Sequence, residues 1–241
     1  MPTFAENVIS FYKELDFKGA LPSGISIMNP YKDNPEIMEV IARFCGKFYN
    51  DNKPRHLIFG INPGRFGAGV TGIPFTDTKR LKEYCGISIS GIETFETSSV
   101  YVYEMISRYG GPEKFYSDFY INSLSPLGFT SKSSSGREVN YNYYDNRKLT
   151  EALKDFIVWN IKEQLKMGII RDICFCFGTG KNFKYLSELN NEYKFSGKIV
   201  PLEHPRYIMQ YKSKQKEFYI KKYLKEFDNL KIRKCGNLEM R

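Results

Sequence analysis

The sequence predicts an α/β protein with three layers, in which helices cover both faces of a central, mostly parallel four-stranded sheet. Three observations carry this. Four short apolar runs, 56–62 (HLIFGIN), 118–124 (DFYINSL), 171–178 (RDICFCFG) and 198–203 (KIVPLE), are each bounded by turn residues and read as buried strands. Helical segments lie between them, and strands alternating with helices build parallel sheets. Finally, 241 residues with 41% hydrophobic and 26% charged side chains supply one core, so a single domain over 1–241 is expected.

Each element has its own local reason. Residues 3–17 and 32–50 read as helices, the second because Ile37, Val40, Ile41, Phe44 and Phe48 recur at the 3.6 period. The run 56–62 stops at Pro63-Gly64. Further helices are expected at about 77–86, 98–109, 145–168 and 181–191, with a final Lys-rich helix near 212–227. Asp77 is a candidate cap for the first of these. The segment 130–146 is rich in Ser, Asn and Tyr and reads as a mobile loop. No internal repeat is present.

Composition narrows the function. Thirty-six Lys and Arg against 27 Asp and Glu give a net charge of +9, alongside 16% aromatic residues. Cations meet phosphates and rings stack on bases, so this pairing suits nucleic acid. No apolar stretch approaches the roughly 18 residues a membrane span requires, and Glu6, Glu14 and Asp16 stand where a secretory leader is apolar. A soluble, monomeric, cytoplasmic protein is expected. The five cysteines, at 45, 85, 174, 176 and 235, form no disulfide framework and no Cys-x-x-Cys pair. Cys174 and Cys176 fall on one face of a strand as buried thiols, and neither a metal nor a cofactor is indicated.

In an open α/β sheet, ligands bind at the carboxyl ends of the strands. Gly60–Gly64, Asn122-Ser123, Gly178–Gly180 and His204-Pro205 all belong there, and four such ends would surround one cleft. Histidine is scarce: His56 enters the first strand at the opposite edge, which leaves His204 as the candidate for chemistry. Residues 60–75 contain five Gly and two Pro, a composition that lets backbone approach a ligand. This loop is no P-loop, because Gly-x-x-x-x-Gly-Lys-[Ser/Thr] is absent, and Gly178–Asn182 fails the pattern as well.

These segments resemble a known family. FGINPGRFGAGVTGIPFTD (59–77) is similar to the first active-site motif of the single-strand-selective monofunctional uracil-DNA glycosylases, within the uracil-DNA glycosylase superfamily. FYINSLSPLGF (119–129) resembles that family's Asn-containing strand end and Cys-Pro-Leu-type sequence. CFCFGTGKNFKYL (174–186) resembles its Gly-x-Gly strand-to-helix turn, and LEHPRY (202–207) its Leu-His-Pro motif. The four stand in the family's order over roughly residues 55–225.

The resemblance implies the three-layer fold and a DNA substrate. It also implies roles: Asn62 for holding the attacking water or helping to polarise the sugar side of the reaction, Phe75 for stacking on the extruded base, Asn122 with Ser123 for reading the base edge, and His204 for hydrogen bonding the pyrimidine O2. Gly60, Ile61, Gly64 and Phe66 would shape the pocket. Phosphate contacts would come from Arg65, Lys181, Arg206 and Lys212, while Tyr207, Ile208 and Met209 would fill the gap left by the flipped base. The chemistry agrees. Breaking the N-glycosidic bond puts negative charge on the departing base, which a donor such as His204 stabilises, whether neutral or protonated. Asn62 is an amide and no strong base. Asn122 offers a donor and an acceptor to uracil's O4 and N3–H, a pattern cytosine lacks. The run 212–225 serves equally as phosphate contacts or as a solvated helix face.

The implied activity is hydrolytic excision of uracil from DNA without strand cleavage, in base excision repair. Xanthine or hypoxanthine excision, or DNA binding with little activity, are the alternatives. Departures from the family pattern are Ile61 for Met, Arg65 for Pro, Ser125 for Cys, and RYIMQYK after His204-Pro205 in place of a longer insert. They mark a divergent subfamily.

Overall fold

The computed structural model describes residues 1–236 and the side chains of residues 1–230, so the side chain of Cys235 lies outside the described residues. Helix α1 (Phe4–Glu14) opens on a reciprocal cap: the Thr3 hydroxyl accepts the Glu6 N–H, and the Glu6 carboxylate accepts the Thr3 N–H. Strand β1 (Ile25–Met28) and the one-turn helix α2 (Pro30–Asp33) lead into α3 (Pro35–Phe48). The expected helix at 32–50 is split at Asn34, which Pro35 forces into extended backbone. The face bearing Ile37, Val40, Ile41, Phe44 and Phe48 is buried as its spacing requires.

Strand β2 (Arg55–Gly60) is buried throughout and feeds the Gly-rich loop, which holds the single turn α4 (Ala68–Thr71). Helices α5 (Thr78–Cys85), α6 (Thr97–Tyr109) and α7 (Pro112–Asp118) follow. Next come β3 (Phe119–Ser123), β4 (Gly128–Lys132), β5 (Glu138–Tyr141), α8 (Arg147–Leu165), β6 (Ile169–Phe177), α9 (Lys181–Tyr193) and β7 (Lys198–Leu202). The chain ends in α10 (Pro205–Tyr211), a 3-10 turn (Ser213–Gln215) and α11 (Lys216–Gly236).

The central sheet has the order β3-β2-β6-β7, and all its pairs are parallel. Alternation along β6 shows the three layers. Phe175 and Phe177 point to one face, where they meet Phe227 and Tyr223 of α11 at ring centroid distances of 5.0 and 5.2 Å. Cys176 points to the other, where Asn182 of α9 donates to its sulfur. Cys174 and Cys176 are buried thiols, as alternation predicts. Among the described residues, no helix is long and apolar enough to cross a membrane.

A second sheet was not legible. Strands β1, β4 and β5 form an antiparallel sheet in the order β1-β4-β5, and the hairpin β4–β5 occupies the segment expected to be a mobile loop. That expectation is corrected. The hairpin is held by backbone pairing and by a turn in which Ser133 exchanges hydrogen bonds with Arg137, rather than by apolar alternation. Gly136 sits in that turn at φ +76°, a conformation side chains disfavour.

Candidate active site

The parallel register sets Gly60 opposite Ser123 and Phe177 opposite Leu202, so the residues after the strands emerge at one edge. A cleft of about 340 Å³ opens there. Asn62, Gly64, Phe75, Ser123 and His204 all line it. The third strand end, Gly178–Gly180, does not reach the cleft wall.

Asn62 is held on both sides of its amide. Nδ2 donates to the carbonyl oxygens of Pro63 (3.3 Å) and Tyr141 (3.1 Å), while Oδ1 accepts the Tyr143 N–H at 3.1 Å. Apart from neighbouring Pro63, the partners belong to β5 and the turn after it. Tyr143 is itself fixed, because its hydroxyl donates to Asn182 Oδ1 at 2.8 Å and its carbonyl accepts from Thr150. Asn182, buried at the start of α9, spans the ends of β2 and β6 by donating towards Gly60 O and Phe177 O. With both Nδ2 hydrogens committed, Asn62 retains only acceptor capacity, on Oδ1.

Phe75 adopts φ +54°, a strained conformation for an aromatic residue, of the kind that clusters at functional sites. Its ring lies over the end of β2. A Cβ on Gly60 would come within 2.8 Å of that ring, so glycine is required there although Gly60 does not line the cleft. Phe75 meets the rings of Phe177 and His204 at 5.3 and 5.6 Å.

His204 follows β7 by two residues and caps α10, with Nδ1 accepting the Arg206 N–H at 3.2 Å. An accepting Nδ1 places the proton on Nε2, which makes Nε2–H a donor. Burial, and behind it the Arg206 charge, lowers the imidazole from 6.5 to about 4, so it is neutral at physiological pH. The strand end before it is anchored to α11 by the Glu203–Lys222 ion pair at 2.7 Å and by the Tyr223 hydroxyl on the Glu203 carbonyl.

Several expected positions are corrected. Asn122 does not face the cleft: its Nδ2 donates to the Tyr120 hydroxyl at 2.8 Å, and its Oδ1 accepts the Ser123 N–H. Strand alternation turns Ser123 to the cleft instead. Phe66 points outward beneath the Arg65 guanidinium. Arg65 is committed to the hairpin, its N–H on Asn140 Oδ1 and its guanidinium on the Glu138 carbonyl. Ile208 is fully buried in α10, which takes it out of reach of a duplex, while Met209 is half-buried against the core and does not line the cleft. Lys212 closes α10, outside the cleft.

Other expectations fall where the cleft can use them. Ile61, Arg206 and Tyr207 line it. Lys181 is exposed at the start of α9 with its ammonium over the ring of Tyr144, a cleft residue. Sequence reasoning missed Glu96, Tyr144 and Tyr211, which also line the cleft. Tyr211 is 66% exposed and packs on Tyr207 at 5.5 Å, one helical turn away on α10. A seven-residue helix is too short for its periodicity to show. Among the described residues, no three metal-ligating side chains gather.

The family model described as the uracil DNA glycosylase superfamily matches residues 47–228, which contain β2 to β7 and every cleft residue. The chain belongs to the uracil DNA glycosylase superfamily. Its structure is similar to the crystal structure of wild-type SMUG2 from Pedobacter heparinus, at 55% sequence identity and a TM-score of 0.93, over 96% of this chain and 99% of that one. No curated protein matches the chain. Superfamily membership accounts for the four motif segments and their order.

Proposed function

We propose that this chain is a monofunctional uracil-DNA glycosylase that extrudes a uracil nucleotide and hydrolyses its N-glycosidic bond, leaving an abasic site. The observation that carries this reading is the convergence on one cleft of Asn62, Phe75 and a neutral, Nε2-protonated His204. Phe75 offers a stacking face to the base. His204 Nε2–H donates to the pyrimidine O2, where negative charge builds as the bond from C1′ to the base breaks and its electron pair leaves with the base. Asn62 Oδ1 accepts from a water and aims it at C1′. An amide accepts weakly, so the bond to the base breaks largely before water adds. Arg206 and Tyr207 in the cleft wall, with Lys181 beside Tyr144, would hold the strand around the flipped nucleotide.

A second reading, excision of xanthine or hypoxanthine, is favoured by one observation. With Asn122 turned inward, edge recognition falls to the Ser123 hydroxyl, which donates or accepts with a free rotor and discriminates less than an amide pair. The test is single-turnover cleavage of oligonucleotides carrying one uracil, xanthine or hypoxanthine, in single strands and opposite G or A, with His204→Ala as control. Alkali-dependent cutting at uracil, reduced about 10² or more in the control, supports the first reading. Tight binding without cutting any of the three would leave only a binding role.

A further inference from the structure

Among the described residues, only two charged side chains line the cleft, Arg206 and Glu96. A cation suits a site that receives a polyanion, but a carboxylate does not. Glu96 stands just before α6, and its side chain lies across the Gly-rich loop. A Cβ on Gly64 would come within 3.0 Å of Oε1, and one on Gly67 would overlap the carboxyl group, so the two glycines leave the space it fills. Its backbone is fixed from behind, with the Glu96 N–H donating to Asp77 Oδ2 at 2.8 Å. Asp77 is itself buried, caps α5 and pairs with Arg80.

We propose that Glu96 is a substrate-contacting residue of the cleft that works as a carboxylic acid, donating a hydrogen bond to an oxygen of the extruded base. This rests on the glycosylase reading above and adds to it a named donor that no motif supplies.

The electrostatics of the reaction select the acid form. The base edge presents carbonyl oxygens, and the base departs with an electron pair. A carboxylate against it repels both ground state and product, whereas a neutral acid donates to each. The surroundings favour that form. Burial and the Asp77 charge raise Glu96 from 4.5 to about 7, against the opposing pull of Ser98 and Arg206. These groups face it from α5, α6 and α10, and the loop on the remaining side contributes uncharged glycine backbone.

The test is a pH profile of single-turnover uracil excision over about pH 5.5 to 8.5, for wild type, Glu96→Gln, Glu96→Ala and Asn62→Ala. The wild-type rate should be level at the acid end and fall as pH rises through about 7. Glu96→Gln, whose amide donates at every pH, should stay within about threefold of the acid-end rate and lose the fall. Glu96→Ala should be roughly tenfold slower and flat, the scale of one lost hydrogen bond. Asn62→Ala should be slow but keep the wild-type shape, which separates the water-orienting role from this one. A fall that persists in Glu96→Gln overturns the proposal. So does a wild-type rate that rises with pH and loses that rise in Glu96→Gln, which would make the group a base. If wild type cuts no uracil at all, the glycosylase reading fails and this role with it.

Discussion

Asn62 illustrates how neighbours set what a side chain can do. Aspartate at this position would be a stronger base for water, yet the Nδ2 site faces the carbonyl oxygens of Pro63 and Tyr141. Asn62→Asp would aim a carboxylate oxygen at two acceptors, which raises its pKa and weakens its hold. The expected result is a single-turnover rate at neutral pH about tenfold or more below wild type, recovering as pH rises; a faster enzyme at pH 7 would contradict the bonding described. His204 gives a second prediction at this scale. Its imidazole is lowered from 6.5 to about 4 in the folded chain, so the unfolded chain binds more protons between those values. The stability from this site is therefore complete above about pH 6.5 and is lost as pH falls towards 4. Thermal melts of wild type and His204→Gln should converge as pH drops through that window, since glutamine carries no such titration.

The cleft is assembled by elements that meet at few points. Asn182, at the start of α9, joins the ends of β2 and β6 and holds Tyr143, whose N–H holds Asn62. Asn182→Ala leaves the Tyr143 hydroxyl and two strand-end carbonyls without this partner. It should cost about 1 to 3 kcal/mol in urea unfolding and slow excision, while DNA affinity by anisotropy stays near wild type. Weakened DNA binding with an unchanged chemical step would refute the link to Asn62. In sequence, the segment after β3 reads as a loop although it holds two paired strands. Its strands are short and polar, stabilised by cross-strand backbone bonds and by contacts to the Gly-rich loop, and neither leaves a hydrophobic period. Helix α10 is hidden for a similar reason: its seven residues, proline first, bury Pro205 and Ile208 and leave two rings exposed.

Across the whole molecule, the net charge of +9 suits a polyanionic substrate, and one of its cations borders the cleft. Arg206 lies in the cleft wall, and Tyr207 and Tyr211 stand exposed beside it. Arg206→Ala should weaken DNA binding and lower the slope of log affinity against log salt by about one. Tyr211→Ala should weaken binding with little change in that slope, because stacking releases no counterions. Equal slopes for wild type and Arg206→Ala would remove Arg206 from the phosphate contacts.

The sequence by itself determined the parallel sheet, its strands and the cleft edge, because buried strands between turn residues are written in local hydrophobic pattern. It also carried Asn62, Phe75 and His204, since each sits in a turn whose glycine and proline content is local too. Only the tertiary structure decided the rest: that Ser123 rather than Asn122 faces the cleft, that Ile208 is core, that His204 is neutral, and that Glu96 stands in the wall. Those outcomes depend on which face a strand turns inward, on burial, and on partners far apart in the chain, such as Asn62 and Tyr143. Distance in space sets them, and a linear pattern does not encode it.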